Sequence, residues 1–424
     1  MRITSFRRVI ALAVILQALG FRAANATDYY VQGPLVAAGV ADPGTGAQDN
    51  PFRSFWAPMH VLAPGDTLHI LAGSYSALLY LTVSGNASAP INIVGDPGML
   101  TQIHTASGNA IQFKAGVSYV SVSYFDVQAA ASTASGIATE GASPVHHITI
   151  KHNRVHNCGG AGLQLTHADY LSVVKNTVYD NAWLSNGDPS GIDLYQLTNV
   201  DSSTTGNHNY IGSNVIYGNA NHVASATSGL ITDGNGIIVD DSQHTQLNYA
   251  AVAPAYLGGT LIENNIIFNN GGRAVHVNRS NNVTIRNNTT YKNNTGPSFV
   301  GLYVGEVEAM GSGNVSVYNN ILWGNGSGYT SFQAQGSTNI WIDYNVAANV
   351  GTPTYIRLTT GTSWGSHSMT ADPLFDLASI LPATANFHIL ASSPAVGAGK
   401  PGAGAAYDFD GVKRPTIAAL GAYE

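Results

Sequence analysis

Four short segments of this chain can be laid over one another: AGLQLTH from Ala161, SGIDLYQ from Ser190, NGIIVDD from Asn235 and RAVHVNR from Arg273. Each has a small residue second, apolar residues third and fifth, and mostly polar side chains between and after them. That alternation reads as a strand with one buried face. Its recurrence at intervals of one supersecondary unit predicts a solenoid, in which sequence columns become spatial columns. Taking Ile111, Ile137, Leu163, Ile192, Ile237, Val275 and Leu302 as the first inward residue of each aligned strand gives steps of 26, 26, 29, 45, 38 and 27 residues. A step near 26 is one coil of three short strands. The two long steps are a coil with an inserted loop, or an extra coil.

A second column keeps the same register. HITIKHNRV, DYLSVVKNTV, TLIENNIIF, NVTIRNNTTY, NVSVYNNIL and NIWIDYNVA each run an alternating strand into an asparagine: Asn153, Asn176, Asn265, Asn288, Asn320 and Asn345, with Asn214 as a looser member. Asparagine tolerates left-handed backbone, and its amide can bond the next asparagine along a stack. These residues are read as structural. Matches to the glycosylation pattern, such as Asn282-Val283-Thr284, are read as by-products of the ladder.

Residues 1–26 have the order of a secretory signal. Arg2, Arg7 and Arg8 come first, then a short apolar run, then Ala24-Asn25-Ala26. The run is well short of the roughly 20 residues of a spanning helix. The expectation is a secreted, monomeric protein. Losing that segment removes four arginines and no acids, taking the formal charge from −7 to −11. Such a charge argues against nucleic acid and against anionic membrane surfaces as partners. Only 10% of residues are charged, against about 25% in an ordinary domain, which fits a large all-β body. The one cysteine, Cys158, is read as a packed thiol.

The flanking segments carry a resemblance. DYYVQGP from Asp28, DPGTGAQDNPF from Asp42 and LAPGDTLHILAGSY from Leu62 open the chain after the signal; DPLFD from Asp372, NFHILASSPAVGAGK from Asn386 and DFDGVKRP with LGAYE end it. These resemble the opening and terminal segments of secreted right-handed parallel β-helix proteins, the pectate-lyase-like superfamily. The resemblance implies one solenoid: an N-terminal cap and first coils over 27–105, a central β-helix with inserted loops over 106–350, and C-terminal coils with a closing segment over 351–424.

Neighbouring strands lie about 4.8 Å apart, so side chains in one column of adjacent coils reach a common ligand. Column four reads Gln164, Asp193, Ile238, His276, Tyr303; column six reads Thr166, Tyr195, Asp240, Asn278; column seven reads His167, Gln196, Asp241, Arg279, Glu306. Loops 180–189, 197–208, 218–234 and 242–258 interrupt the coils beside these acids and hold or flank Trp183, Tyr210, Tyr217, Tyr249 and Tyr256. Long loops on a rigid scaffold point to a binding site, and aromatic rings suit sugar faces. Close carboxylates repel, which a hard cation relieves. Asp193, Asp240 and Asp241, with Asp233 nearby, are therefore the candidate Ca²⁺ ligands. His276, Arg279 and Arg273 are the candidate catalytic residues, Arg273 having Glu263 or Asp233 as alternative partners. Tyr195, Asn278, Gln164 and His167 are the candidate substrate contacts.

Two chemistries fit, and the first is the preferred expectation, on an anionic polysaccharide. One is β-elimination from a uronic-acid polysaccharide, with calcium and an arginine neutralising the carboxylate beside the abstracted proton. This resembles the calcium-dependent family 9 polysaccharide lyases, with their aspartate calcium site and lysine base. No lysine occurs between Lys175 and Lys292, so His276 or an arginine would be the base, and an arginine base needs a special environment. The other is hydrolysis: Asp193, Asp240-Asp241, His276 and Arg279 follow the order of the family 28 glycoside hydrolases, whose Gly-His-Gly and Arg-x-Lys motifs are absent. Epimerisation shares the proton abstraction. A non-catalytic carbohydrate-binding solenoid remains a reading of another class.

Overall fold

The computed structural model describes residues 26–141, 143–246, 253–299, 304–351, 355–356, 362 and 364–424. The proposed signal peptide, Tyr249, Leu302 and Tyr303 lie outside them, apart from Ala26. Among the described residues the strands form three parallel sheets of eleven, ten and eleven strands, plus one antiparallel pair, Phe375–Leu377 with Asn386–Ile389. Successive strands visit the three sheets in turn: Ser118–Ser123, Asp126–Ala129 and Ile137–Thr139 make one coil, and Val145–Lys151, Arg154–His156 and Leu163–Thr166 stack on it. This is a parallel β-helix. Its interior is one continuous core of mostly Ile, Leu and Val, which is where the inward residues of each strand must go once both sheet edges are paired along the axis. The short 3₁₀ turn Pro58–His60 packs beside the first coils.

The ten-stranded sheet carries the aligned segments. Leu79, Ile111, Ile137, Leu163, Ile192, Ile237, Val275, Val307 and Phe332 are paired in register along it. Ile192 pairs directly with Ile237, and Ile237 with Val275. Both long steps are therefore single coils with inserted loops. After Val275 the column continues at Val307, not at Leu302. Column four thus continues with Glu308, and Glu306, inside the strand Gly305–Met310, moves out of column seven to the column of the small second residue, beside Ala274.

The asparagine column forms a continuous chain of amides. Asn153, Asn176, Asn214, Asn265, Asn288, Asn320 and Asn345 each donate to the next at 3.0–3.1 Å. The left-handed residue at this corner is not the ladder asparagine but its predecessor: His152, Lys175, Ser213, Asn264, Asn287, Asn319 and Tyr344 all have φ between +53° and +59°. A second ladder, unread in the sequence, runs Asn181, Asn219, Asn270, Asn293 and ends on Glu306, with bonds of 2.7–2.9 Å. It helps crowd the small second residue of the first two aligned segments: a Cβ on Gly191 would sit 2.8 Å from the Asn219 amide, and one on Gly162 would sit 2.6 Å from Gly191 O and 2.9 Å from the Asn181 amide. Asn282 belongs to neither; it accepts from Asn314 in a surface row that continues to Asn339.

The C-terminal segment closes along the flank. Phe387 and Tyr423 pack with Ile266, Phe268 and Tyr291 on the outer face of the third sheet. Lys400 N–H and Ala405 N–H bond the amide oxygens of Asn319 and Asn287, two of the left-handed corner residues.

Candidate active site

The outward side chains of the ten-stranded sheet and three of the inserted loops enclose a cleft of roughly 470 Å³. Gln164, Asp193, Tyr195, Asp240, His276 and Asn278 enter it from the strands and Arg273 from just before one, while Asp188, Asp233 and Gln246 come from loops. Loop 197–208 contributes nothing to its lining, nor do the loop aromatics among the described residues. Tyr256 is buried as an anchor, its hydroxyl donating to Asp169, and Tyr217 stacks between Tyr179 and Phe268.

Column seven is a corner of the coil, and this separates its residues from the cleft. His167, Gln196, Asp241 and Arg279 have φ of +43° to +50°. At that turn the side chains leave the sheet face. Asp241 is fully buried and accepts from Gln196 Nε2 and the backbone N–H groups of Thr245 and Gln246. It holds a loop and does not face the cleft. His167 bonds Gly141 O and Gln196, and Arg279 is exposed outside the cleft. Arg273 pairs with neither Glu263, which holds Arg286, nor Asp233. Its guanidinium bonds Glu308 and Thr232 O and lies over the Phe299 ring. Continuing the column at Leu302 passes over Glu308; the pairing of Val275 with Val307 puts it next to His276.

Three buried groups shape the electrostatics. Asp193 has an Oδ1 with no partner in the protein, and burial, reinforced by the Asp240 charge, pushes its carboxyl well above the usual range. Asp240 accepts from Asn278 Nδ2 at 2.8 Å and Gln246 Nε2 at 2.9 Å; burial outweighs these bonds and, with the charges of Asp241 and Asp233, raises it to about 6. His276 is 4% exposed, neither ring nitrogen has a hydrogen-bond partner, and burial beside Arg273 holds the imidazole neutral. Tyr195 is pushed up to about 12 by burial and the neighbouring acids. The cleft thus offers a protonated carboxyl, a carboxyl near its midpoint and a neutral imidazole. Its one guanidinium is already matched by Glu308.

Asp193, Asp233, Asp240 and Asp241 do not bring three oxygens within 4.8 Å of one another; among the described residues only His104, Asp126 and His156 converge that closely. As they stand, these carboxylates do not form a closed calcium site.

A sequence profile described as a right handed beta helix region matches residues 230–362. Pectate lyase Pel9A, a solved structure, superposes with a TM-score of 0.51 at 16% identity, covering 95% of this chain and 97% of that one. The fold is that of the pectate-lyase-like right-handed β-helices. XylC in complex with xylose gives a TM-score of 0.48 at 10% identity over 93% of this chain and 98% of that one. The A-module of the Azotobacter vinelandii mannuronan C-5 epimerase AlgE4 gives 0.39 at 14% identity over 81% and 100%. No curated protein matches the chain. At 16% identity the likeness to Pel9A speaks for the β-helix scaffold alone. Among the described residues no helix is long and apolar enough to cross a membrane.

Proposed function

We propose that this β-helix cleaves glycosidic bonds in a polysaccharide, with Asp193 as proton donor and Asp240 as base. The observation that carries the reading is two cleft carboxyls in different states: Asp193 held protonated by burial, Asp240 raised only to about 6. Such a split is what acid–base glycoside hydrolysis needs at near-neutral pH. Tyr195 pairs with Asp240 across adjacent strands, and Asp193 lies two residues before Tyr195. The two Cα atoms are therefore about 8 Å apart on one face. Asp193 passes its proton to the glycosidic oxygen as that bond breaks. Asp240 takes a proton from the water that attacks the anomeric carbon, and return of that proton to Asp193 through solvent resets the pair. Asn278 and Gln246 orient the Asp240 carboxylate and, with Gln164, offer amides to sugar hydroxyls. Because Glu308 already neutralises Arg273, the reading favours an uncharged stretch of glycan.

A second reading, elimination from a uronic-acid polymer, is favoured by one observation: Asp188 Oδ1 and Asp193 Oδ1 are buried without partners, and a hard cation would take oxygens of this kind. A bound calcium would supply the positive charge that a uronate carboxylate requires. In both readings the protein is secreted, a reading supported by the order of basic, apolar and small residues over residues 1–26. One assay separates the chemistries. The mature protein is incubated with neutral glycans and polyuronates, with calcium or with chelator. New reducing ends without ultraviolet absorbance, insensitive to chelator, are expected. An absorbing unsaturated product that requires calcium overturns hydrolysis in favour of elimination, and no product from any polymer overturns both.

A further inference from the structure

On the third sheet, away from the cleft, three ligand-type side chains converge. His104, Asp126 and His156 lie on Thr101–Thr105, Asp126–Ala129 and Arg154–His156, strands of three successive coils. Gln102, Asp126 and Arg154 share one column, and each histidine stands two residues further along its strand. Imidazoles two coils apart would stand about 9.6 Å from each other if they rose straight from the sheet. Their ring centroids are 6.3 Å apart. They lean over the middle coil, and both Nε2 atoms meet one oxygen, Asp126 Oδ1, at 2.6 Å from His104 and 3.1 Å from His156.

We propose that His104, Asp126 and His156 bind a divalent transition-metal ion of the zinc, cobalt or nickel class. Two imidazole nitrogens and one carboxylate oxygen suit such ions and are a poor set for calcium or magnesium, which prefer oxygen alone. The three ligand atoms lie within 4.8 Å of one another. A tetrahedral ion with bonds of 2.0–2.2 Å holds its ligands roughly 3.3–3.5 Å apart, so each nitrogen–oxygen gap opens by less than about 1 Å. The surroundings hold the ligands in place. Arg154 takes the other oxygen, Oδ2, which leaves Oδ1 turned to the histidines. The His156 ring lies flat on Tyr179, 4.7 Å away and 3° from parallel, and its Nδ1 is 3.1 Å from the Asn157 amide. Such outer contacts set ring orientation at metal centres. Asp126 and His156 are buried, while the His104 side chain is 31% exposed and gives an ion a way in, with room for a water as further ligand.

Without metal, the same groups form a hydrogen-bonded network in which both Nε2 atoms meet the carboxylate oxygen. An ion would take the Nε2 lone pair of each neutral imidazole, the single ring proton then sitting on Nδ1, so no net proton is lost from the rings. The test uses the untagged mature protein, with Zn²⁺ followed by calorimetry and Co²⁺ by visible absorption. One ion per chain is expected, with a dissociation constant on the order of micromolar or tighter and a histidine-ligated cobalt spectrum. His104→Gln keeps a hydrogen-bond donor to Asp126 and should retain the fold by circular dichroism, yet weaken binding at least about tenfold. Asp240→Asn, in the cleft, should bind as wild type. Absence of binding at millimolar Zn²⁺, undiminished binding by His104→Gln, or loss of binding in Asp240→Asn would each overturn the proposal.

Discussion

Two buried aspartates on this β-helix have opposite surroundings. Asp126 is held by two histidines and an arginine, so its charge is stabilised and its oxygens are occupied. Asp193 is also buried, but one oxygen has no partner, and its strongest charged neighbour is another acid. The β-helix accommodates both because its rigidity comes from the core and the amide ladders, not from surface polar groups. The difference teaches where to look for work on a ligand. A buried polar group that is fully matched serves the scaffold or holds an ion; one left unmatched at the wall of an open cleft is completed by something that binds there.

The largest expected effect is on activity. Asp193→Asn and Asp240→Asn should each lower kcat on the responsive glycan by about a thousandfold or more, because each removes one half of the acid–base pair; turnover within tenfold of wild type would show that the pair is misassigned. Asp126→Asn should leave turnover intact.

Stability should respond with opposite signs. Asp126→Asn leaves Arg154 and two histidines without their anion and should cost about 2–3 kcal/mol in chemical denaturation. Asp240→Asn should stabilise. Its carboxyl is raised in the folded state from the ordinary 3.8 to about 6. The folded protein then holds a proton that the unfolded chain has lost between about pH 4 and pH 6, so stability falls as pH rises through that window. Removing the ionisable group should make the variant more stable at pH 7 by roughly 1–3 kcal/mol and flatten that part of the profile. If both substitutions destabilise equally, the contrast between the two sites is lost. Asn176→Ala removes a ladder amide that bonds Asn214, Ile150 O and Val174 O and accepts from Asn153; a loss of about 2–3 kcal/mol is expected, with unchanged kcat.

The pH profile sharpens the same contrast. With Asp240 as base, kcat/KM should climb as pH rises through about 6 and fall at higher pH as Asp193 loses its proton. A flat profile across that range would remove Asp240 from the chemistry. The smallest effect concerns Cys158. It is fully buried and its thiol is pushed up to about 12, so it should stay unmodified by a thiol reagent in the native protein and react at once on unfolding.

Much of this was legible in the sequence because a solenoid is nearly one-dimensional. Period-two alternation marks which residues face the core, and a step near 26 residues brings Ile111, Ile137 and Leu163 into register. The same logic placed Gln164, Asp193, Tyr195, Asp240, His276 and Asn278 on one face. It failed where the backbone turns. Columns six and seven look alike in a string of letters, but the left-handed corner sends Asp241 and Arg279 away from Asp240 and Asn278. It also failed across long insertions, where Glu308 could not be registered and no periodicity says that Asp188 and Gln246 reach into the cleft.

The sequence by itself determined the coil, its inward columns, the first asparagine ladder and the face on which polar side chains gather, since each follows from local spacing repeated along one axis. Only the tertiary structure decided which acids share a cleft, that Arg273 is already matched by Glu308, and that two histidines lean across a coil onto Asp126. Those outcomes depend on corners, inserted loops and side-chain directions, which are settled by contacts between residues far apart in the chain.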